Sequence, residues 1–452
     1  MYRQIATLWL LVVAFCSLTL SSAAQPHNQS QTTISNERTS SPTSNDGHSN
    51  PFATSLTLDD AIEMSLKYNP ILMAAGFENH ARKAAIRQAK VFPNPELTTD
   101  VENVTGSGPL QGTSSGEFTA GISQSFEMGG KRSKRKGLAE SLFDVSVWNF
   151  ATEQLGVIRL TSERFYTVLA NQHRIRVSDS LLIVAKRFSD SVSLRREAGK
   201  VSPLEERRAN ILLASAQLGN EEARRRLVTA WNDLREMWAD IPSDATIVEG
   251  DLEEIIEVPP LESLLGLLDQ HPEVERSQSL IDYSRSKERL ERAVSIPDVN
   301  LTVGARRIQE LGATGMTASL SLPLPLFNRN RGAIEEAQYE SEATTALAHA
   351  TLVGLQTELK NLHAEVLSAK SEATLFGKGV VIDAMTNMVA TVAGYESGKF
   401  DLLTVLDAQR VLFEISNHYV DALERYHLSR INVEHLIAAS FSSLNEGGSD
   451  NE

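Results

Sequence analysis

Residues 118–126 read Phe-Thr-Ala-Gly-Ile-Ser-Gln-Ser-Phe, and residues 316–324 read Met-Thr-Ala-Ser-Leu-Ser-Leu-Pro-Leu. In both stretches larger or apolar side chains alternate with small, mostly polar ones, so an extended chain would have one face of each kind. Segments of about ten residues with this alternation are typical of strands in a membrane β-barrel. A strand in a soluble sandwich shows the same pattern, and for one strand taken alone that is the simpler interpretation.

Weaker alternation at residues 97–104 and 299–308 supplies a partner for each of these strands. The sequence therefore predicts two β-hairpins, at about 96–127 and 298–326. Uninterrupted helical patterns flank both hairpins, and the sequence predicts no other sheet on which they could pack. Four strands in this setting favour the membrane interpretation over the sandwich.

Four strands per chain cannot close a barrel, and an open sheet edge in lipid leaves backbone groups unpaired at several kcal/mol each. The chain is therefore expected to oligomerise. Two copies would supply about eight strands, whose interior fills with side chains, whereas three would supply about twelve and leave a lumen. A conducting duct favours three copies.

Long helices make up most of the remaining chain. Opening helices are predicted at about 58–91 and 261–294, and very long helices at about 134–197 and 331–397, with no internal proline in either long helix. Thr57 followed by Asp60 gives a start signal for the first opening helix. At 1.5 Å per residue an unbroken long helix would span roughly 95 Å. Apolar residues recur along it at three- and four-residue spacing, so these helices are expected to pack side by side.

Each long helix is predicted to end at a Gly-Lys turn, Gly199-Lys200 in the first half and Gly398-Lys399 in the second. A new helix then begins at once. Ser202 with Glu205 forms a predicted capping box, and Asp401 is the equivalent N-cap in the second half. These turns are therefore expected to be the tips of two tight helical hairpins.

The second half of the chain repeats the first at a spacing near 200 residues. Three pairs of short segments correspond in the same order: 69–70 with 271–272, 92–97 with 296–301, and 198–201 with 397–400. We therefore divide the chain into a first structural repeat at 56–240, a linker or equatorial segment at 241–258, and a second repeat at 259–440. Each repeat is expected to contain a helix, a β-hairpin, a long helix and a further helix.

The two ends of the chain are expected to lie outside this core. Residues 1–24 have the basic, apolar and small-residue regions of a secretory signal peptide. Residues 25–55 are rich in Ser, Thr and Asn and are predicted to be a flexible linker, and residues 441–452 a disordered tail. The only cysteine, Cys16, would leave with the signal; its use as a lipidation site is the alternative, which the bulky Phe15 disfavours.

Composition and motifs exclude several functional classes. The formal net charge of −15 disfavours nucleic acid as a partner. No phosphate-binding loop, HExxH, CxxC or nucleophile elbow is present, so no enzymatic activity, cofactor or metal site is predicted. The last helix contains His418, His427 and His435, whose spacing is too wide for one shared ion, and we interpret them as scattered surface histidines. No apolar run after the signal is long enough for a membrane helix.

Several short motifs carry a family resemblance. They are Phe92-Pro93-Asn94-Pro95-Glu96-Leu97 with Val101-Glu102-Asn103, Glu127-Met128-Gly129-Gly130-Lys131-Arg132, Ser321-Leu322-Pro323-Leu324-Pro325-Leu326-Phe327-Asn328-Arg329-Asn330-Arg331-Gly332, and Gly398-Lys399-Phe400-Asp401 with Leu406-Asp407-Ala408-Gln409-Arg410. Over residues 56–439 the sequence resembles the TolC-like outer-membrane efflux proteins. Within that family it is similar to the outer-membrane component of cobalt, zinc and cadmium cation efflux systems.

The resemblance implies a fold that is mainly α with membrane β: a homotrimeric outer-membrane β-barrel continued by a helical barrel through the periplasm of a Gram-negative bacterium. It also implies a passive exit duct in a tripartite efflux pump for heavy-metal cations, of the Co/Zn/Cd or the Cu/Ag class. The implied partners are a periplasmic adaptor protein, an inner-membrane transporter of the resistance-nodulation-division (RND) class and outer-membrane lipid. The Gly-Lys tips at 199–200 and 398–399 would dock the adaptor.

Relatives in this family close the periplasmic end with inward-facing carboxylates on the helix after the second tip. Asp407 falls on one such position, Thr404 on the other, and Glu205 matches in the first half. An ordinary solvated helix face or a cap is the alternative for these residues. The basic run at 131–136 would contact anionic lipid or neighbouring carboxylates at the periplasmic rim.

Two functional alternatives remain open from the sequence. A soluble periplasmic coiled-coil adaptor or scaffold would also be rich in long helices, although such adaptors usually have one helical hairpin and lipoyl-like β domains. An outer-membrane duct for drugs or organic compounds would have the same architecture as one for metal cations.

The strand faces generate the first testable prediction. An arginine at Ile122 or Leu320 would enter lipid, at a cost of roughly 2 to 4 kcal/mol near the membrane midplane. The Ile122→Arg and Leu320→Arg variants should therefore fail to assemble in the outer membrane, whereas Ser123→Arg and Ser319→Arg should assemble. Equal amounts of all four variants in the membrane fraction would contradict the strand assignment.

Overall fold

The computed structural model describes residues 55–110, 113–239, 241, 245–441 and 444. The predicted signal peptide at 1–24, the predicted linker apart from Ser55, and most of the predicted tail lie outside this part. Three residues assigned to those flanking segments have a defined place: Ser55, Phe441 and Leu444, the last of which packs against the larger apolar core. Ser55 pairs with Ile247 in a short parallel sheet, and the Phe441 side chain is fully buried.

The chain runs through two series of helices and strands in the same order. The first series is β1 (Ser55–Leu56), α1 (Leu58–Tyr68), α2 (Pro70–Ala89), β2 (Glu96–Glu102), β3 (Glu117–Phe126), α3 (Lys131–Glu197) and α4 (Pro203–Glu236). The second is β4 (Ile247–Val248), α5 (Leu261–Leu265), α6 (Pro272–Val294), β5 (Val299–Ile308), β6 (Ala313–Ser321), α7 (Arg331–Leu375), α8 (Val381–Glu396) and α9 (Leu402–Ile437). Short 3₁₀ turns occur at Gly108–Leu110 and Leu268–Gln270.

The predicted opening helices at 58–91 and 261–294 are wrong as single helices. Asn69 and His271 both have an extended backbone and precede a proline. A proline disfavours helical geometry in the preceding residue and cannot donate a backbone hydrogen bond. In each case the side chain of the residue before the proline then caps the new helix, Asn69 by accepting from Ile71 N–H at 2.9 Å.

The start of α1 matches the sequence expectation. The Thr57 hydroxyl accepts a hydrogen bond from Asp60 N–H, and the Asp60 carboxylate accepts one from Thr57 N–H, both at 3.2 Å. This reciprocal arrangement is a capping box, so two backbone donors at the helix start are satisfied.

The two long helical runs differ from each other. α3 is continuous over 67 residues. The predicted helix at 331–397 is instead interrupted by a π-helical segment, Phe376–Val380, which separates α7 from α8. Two glycines lie in this segment, and Gly377 faces the Tyr419 ring of α9, where an added Cβ would lie 3.2 Å from the tyrosine oxygen. Glycine therefore permits the close approach of α9 at the interruption.

The four longer strands form one antiparallel sheet in the order β2-β3-β5-β6. The central pair is in register from Glu117 opposite Ile308 to Phe126 opposite Val299. On β3 and β5 the face with small and polar residues is largely half-covered, while most apolar side chains point outward and are exposed. Leu320 is 71% exposed and Ile122 is 60% exposed. A soluble sheet would bury this apolar face, so its exposure favours contact with lipid.

Ion pairs tie the sheet to the helices. Asp298, just before β5, accepts hydrogen bonds from Met128 N–H at 2.9 Å and from Lys131 Nζ at 2.8 Å. Both terminal nitrogens of Arg135 donate to the Glu127 carboxylate, at 2.5 and 3.0 Å. The basic run at 131–136 therefore pairs with neighbouring carboxylates, one of the two contacts expected for it. These pairs fix the direction in which α3 leaves the sheet.

Two apolar cores hold the helices together. The larger lies around the two-stranded sheet and includes Phe165, Trp238 and Tyr426. The smaller lies near the hairpin tips and includes Phe188, Met388 and Tyr395. Polar contacts also join α3 to α9: Arg174 donates to Asp421 and to Glu424, both at 2.6 Å.

One helical region has an unexpected apolar surface. Within residues 331–396 an 18-residue window is apolar enough, by length and composition, to cross a membrane. Only 17% of that window is buried within the chain. The window combines apolar and polar residues, so it is not the unbroken apolar run that the sequence expectation excluded. The same exposure arises when a helix packs against another copy of the chain, so the criterion does not by itself place this helix in lipid.

The interpretation of the histidines in α9 as scattered surface residues is wrong for two of the three. The His427 ring is 1% exposed and stacks on Tyr166 with ring centroids 4.2 Å apart. Its Nε2 lies 2.8 Å from the Leu252 carbonyl oxygen. Burial lowers the pKa of His427 to about 4 and that of His435 to about 4. Both rings are therefore neutral in the folded protein near pH 7.

These pKa values predict acid sensitivity of the fold. An unfolded histidine takes up a proton near pH 6.5, whereas folded His427 does so near pH 4. Between these values the unfolded state binds more protons, so stability is full above pH 6.5 and falls as the pH decreases toward 4, by about 3 kcal/mol for His427. In detergent, the unfolding temperature of His427→Gln should therefore fall less between pH 6.5 and pH 4 than that of the unchanged protein. The exchange His80→Gln at an exposed position is the control, and an unchanged pH profile in His427→Gln would contradict the assignment.

Candidate functional site

The candidate site lies where the two helical hairpins turn. We define the first tip as residues 197–202, between α3 and α4, and the second tip as residues 396–401, between α8 and α9. The residues predicted to dock a partner, Gly199 and Lys200 in one tip and Gly398 and Lys399 in the other, are all exposed. The three predicted gate residues, Glu205, Thr404 and Asp407, lie in the first two turns of the helices that follow.

Both tips have the same backbone geometry. Gly199 and Gly398 have φ values of 71° and 75°, a left-handed conformation that glycine adopts without steric penalty. Lys200 N–H donates to the Arg195 carbonyl at 2.9 Å, and Lys399 N–H donates to the Gly394 carbonyl at 2.8 Å. These are the long hydrogen bonds of a Schellman motif, which satisfies the last carbonyls of a helix and reverses the chain.

An arginine joins the two tips. The Arg195 guanidinium donates to the Tyr395 carbonyl at 2.7 Å and to the Glu396 carbonyl at 3.2 Å. It also lies 4.8 Å from the centroid of the Tyr395 ring. A cation at a helix C-terminus is stabilised by the helix dipole and by the free carbonyls. Arg195 therefore caps α8 from the neighbouring hairpin. No sequence motif predicts this contact, although an arginine in the last turn of α3 is a residue type that binds terminal carbonyls.

Glu205 does not complete the predicted capping box. Ser202 Oγ accepts from Glu205 N–H at 3.3 Å, as expected for the cap. The Glu205 carboxylate instead accepts a hydrogen bond from the Tyr395 hydroxyl at 3.3 Å. Burial raises the pKa of Tyr395, and the Glu205 carboxylate adds to the rise. The half-buried Glu205 thus connects the first turn of α4 to the helix before the second tip.

Asp407 and Thr404 have different local partners. Asp407 is exposed and accepts from Arg410 at 2.9 Å, and the same guanidinium pairs with Glu414 at 3.0 Å. Thr404 belongs to the cap of α9: its N–H and hydroxyl donate to Asp401 at 2.9 and 2.6 Å. These hydrogen bonds lower the pKa of Asp401. The structure therefore brings Glu205 to Tyr395, and it leaves Asp407 as an exposed carboxylate one turn beyond the cap.

Exposed apolar side chains accompany the lysines at the tips. Leu204 and Leu403 occupy matching positions at the start of α4 and α9, and both are exposed, as is Phe400. The Phe400 ring also packs against Gly394, where no side chain would fit. Each tip therefore presents a lysine and a leucine on a rigid, hydrogen-bonded turn.

Among the residues that the structure describes, no group of three or more His, Cys, Asp or Glu side chains is arranged to hold a metal ion. Near the tips, Glu206 and Asp407 pair with arginines. Glu205 instead accepts from the Tyr395 hydroxyl, and Asp401 caps α9.

The sequence is similar to a known protein family and to several metal-resistance proteins. Residues 61–240 and 266–439 match the sequence profile of a family described as "Outer membrane efflux protein". The cobalt-zinc-cadmium resistance protein CzcC of Cupriavidus metallidurans is 28% identical over 382 residues, which cover 84% of this chain and 90% of CzcC. The nickel-cobalt-cadmium resistance protein NccC of Alcaligenes xylosoxydans xylosoxydans is 26% identical over 63% of this chain and 64% of its own.

The fold is also similar to solved structures. The crystal structure of CusC, reported in connection with folding and transmembrane channel formation, superposes with a TM-score of 0.73. The sequence identity is 15%, and the match covers 85% of this chain and 92% of CusC. At this identity the likeness concerns the fold.

The contact between the tips generates a testable prediction. Arg195→Met should remove two charge-assisted hydrogen bonds, each worth about 1.5 to 3 kcal/mol, from the end of α8. Amide hydrogen exchange should then accelerate by about tenfold or more in residues 390–400. Arg196→Met is the matched control, because Arg196 pairs with Glu206 on α4 at 2.6 Å. Equal protection of residues 390–400 in both variants would show that Arg195 does not hold the second tip.

Proposed function

Because the chain belongs to the outer membrane efflux protein family, we propose that it is the outer-membrane channel subunit of a tripartite efflux pump that exports divalent heavy-metal cations. The observation that carries the proposal is the family match over both halves of the chain. It places the protein in the Gram-negative outer membrane, with its helices extending into the periplasm. Transport through it is passive, and the chain catalyses no reaction.

Closure of the barrel supports a homotrimer. The outer strands β2 and β6 each have one unpaired edge in the four-stranded sheet. In lipid these edges must pair, and β6 of one copy next to β2 of another would satisfy both. Three copies provide twelve strands, enough for a water-filled lumen. The exposed apolar window within 331–396 would then pack against helices of neighbouring copies, which explains its low burial in one chain.

The internal duplication is part of the proposal. The family profile matches two segments, 61–240 and 266–439, which supports the repeats proposed at 56–240 and 259–440 with a linker at 241–258. Two hairpins per chain give six tips per trimer. A helical barrel built from two similar hairpins per chain has near-sixfold symmetry at its periplasmic end, which suits docking of several adaptor copies.

The tips are proposed to bind the periplasmic adaptor and, through it, an inner-membrane RND transporter. Lys200 and Lys399 supply charge, and Leu204 and Leu403 supply apolar surface, at equivalent places in both tips. Because each tip has a lysine and a leucine at equivalent positions, one type of adaptor surface could recognise both hairpins in the same way.

Metal cations are the proposed cargo because CzcC and NccC are named as cobalt-zinc-cadmium and nickel-cobalt-cadmium resistance proteins. A duct for organic compounds is the alternative. Deletion of the gene in its own host should raise intracellular Zn²⁺, Cd²⁺ or Co²⁺, measured by mass spectrometry after a metal challenge. Normal metal content with increased accumulation of a dye or drug would favour the alternative.

We further propose that Asp407 and Glu205 narrow the periplasmic end of the duct, with Thr404 beside them at the second gate position. Threefold symmetry would repeat each carboxylate around the axis and concentrate negative potential there. The exposed Asp407 supports this role, since its only described ion-pair partner, Arg410, is on its own helix. Glu205 would act through the Tyr395 hydroxyl, which connects the two hairpins.

The gate proposal predicts a change in conductance. Asp407→Ala together with Glu205→Ala should raise single-channel conductance in planar bilayers and weaken block by divalent cations, while the trimer persists on gels. Asp179→Ala, which removes a half-buried carboxylate on α3 that pairs with Arg224 of α4, should change neither property. If the double variant conducts and is blocked like the unchanged protein, these carboxylates are surface or capping groups.

A further inference from the structure

The polar face of the four-stranded sheet has an uneven distribution of charge. Strand register places the same-face residues in rows, and the two rows nearest the hairpin loops contain most of the charge. In the first row Glu102 of β2 lies opposite Glu117 of β3. In the second row Thr119 of β3 lies between Asp100 of β2 and Arg306 of β5. Away from these two charged rows, towards the helices, Glu96 is the one other charged residue on that face within β2, β3, β5 and β6.

Arg306 links the carboxylates across three strands. Its terminal nitrogens lie 2.9 Å from the Glu117 carboxylate and 3.4 Å from that of Glu102. Its Nε donates to the Thr119 hydroxyl at 3.1 Å. The forked guanidinium thus holds two acidic side chains against the sheet and neutralises part of their charge.

The residues next to the two charged rows leave space in front of them. Gly121 and Gly304 are paired across β3 and β5 on the same face. An added Cβ at Gly304 would collide with the Ala120 backbone, so the two strands are in close contact there. The flanking residues of this third row, Thr98 and Thr317, are short. Long side chains on this part of the sheet therefore belong to the charged rows and not to the third row.

The neighbouring residue Arg307 provides an internal comparison. It lies on the opposite, apolar face, in register with Phe118 and Thr314. Side chains at successive strand positions point to opposite faces. Two adjacent arginines at the same height in the sheet are thus directed to the two sides of the barrel wall.

We propose that Arg306 sets the charge selectivity of the outer mouth of the channel. This inference rests on the proposed trimeric duct, in which the polar face lines the lumen and the loop end faces the exterior. Three carboxylates and one guanidinium give each chain a net charge of −2 in the two charged rows, and three copies give −6. Cations are therefore favoured in the mouth. Arg306 limits this preference, because without it the ring would carry −9 and Glu102 and Glu117 would be free to face the lumen.

The test is the reversal potential of purified protein in a planar bilayer with a tenfold KCl gradient. In Arg306→Gln the ratio of potassium to chloride permeability should rise about threefold over the unchanged protein. Arg306→Lys, which keeps the charge, should restore the original ratio. Glu102→Gln, at a more exposed position, should lower the ratio, and this variant gives a result even if Arg306→Gln does not assemble.

Arg307→Gln is the matched control, since it removes the same charge at the same height from the opposite face. Its permeability ratio should equal that of the unchanged protein. All variants are also prepared in the Asp407→Ala, Glu205→Ala chain, so that a narrow periplasmic end does not mask the mouth. Absence of any channel current from the unchanged protein and from this double variant would contradict the proposed function. A conducting protein whose ratio does not respond to Arg306→Gln or Glu102→Gln, or responds equally to Arg307→Gln, would overturn the inference about the mouth.

Discussion

The structure depends on one constraint, the need to pair the backbone groups of a sheet whose apolar side faces outward. Within one chain β2 and β6 each leave an edge unpaired, and each unpaired group in lipid is unfavourable by several kcal/mol. A single chain cannot meet this requirement, so the proposed assembly is a condition for membrane insertion. In the proposed assembly, helices that continue from neighbouring strands would stand side by side around the same axis. The exposed apolar window within 331–396 is consistent with such packing.

Much of the fold could be predicted from residues with strong local preferences. The alternation at 118–126 predicts a strand, and the two Gly-Lys turns predict the ends of the hairpins. These turns can be predicted because a tight reversal after a helix requires a residue at positive φ, which glycine adopts most easily. The helix breaks at Asn69 and His271 could also be predicted, because a proline follows each residue. The helical periodicity on either side instead favours one continuous helix. The π segment at 376–380 could not be read in this way. It lies where Tyr419 of α9 approaches Gly377, a contact that the local sequence does not reveal.

Side-chain partners were harder to predict than elements. Sequence spacing placed Glu205 in a capping box, whereas its carboxylate contacts Tyr395, 190 residues later. Arg195 was not singled out, although it connects the same two hairpins. His427 looked like a surface residue because helical spacing does not reveal which face is covered by Tyr166. In each case the competing partner comes from the other half of the chain, and only the packing of α3 against α8 and α9 brings the two together.

The metal-cation cargo, likewise, has no counterpart in a side-chain cluster of the described residues, and it rests on similarity to named relatives.

The π segment gives the two hairpins unequal mechanical stiffness. An uninterrupted α-helix resists bending along its whole length, and α3 is such a rod over 67 residues. Between α7 and α8 the regular ladder of hydrogen bonds is replaced over Phe376–Val380, where Gly379 is extended at a φ of 171°. Bending is easiest where the ladder is interrupted. A force applied at the periplasmic end would therefore be taken up as rotation of α8 about this joint, while α3 keeps its direction. The chain thus combines a stiff helix, α3, with a more easily displaced one, α8. Tyr395 of α8 contacts both Arg195 and Glu205.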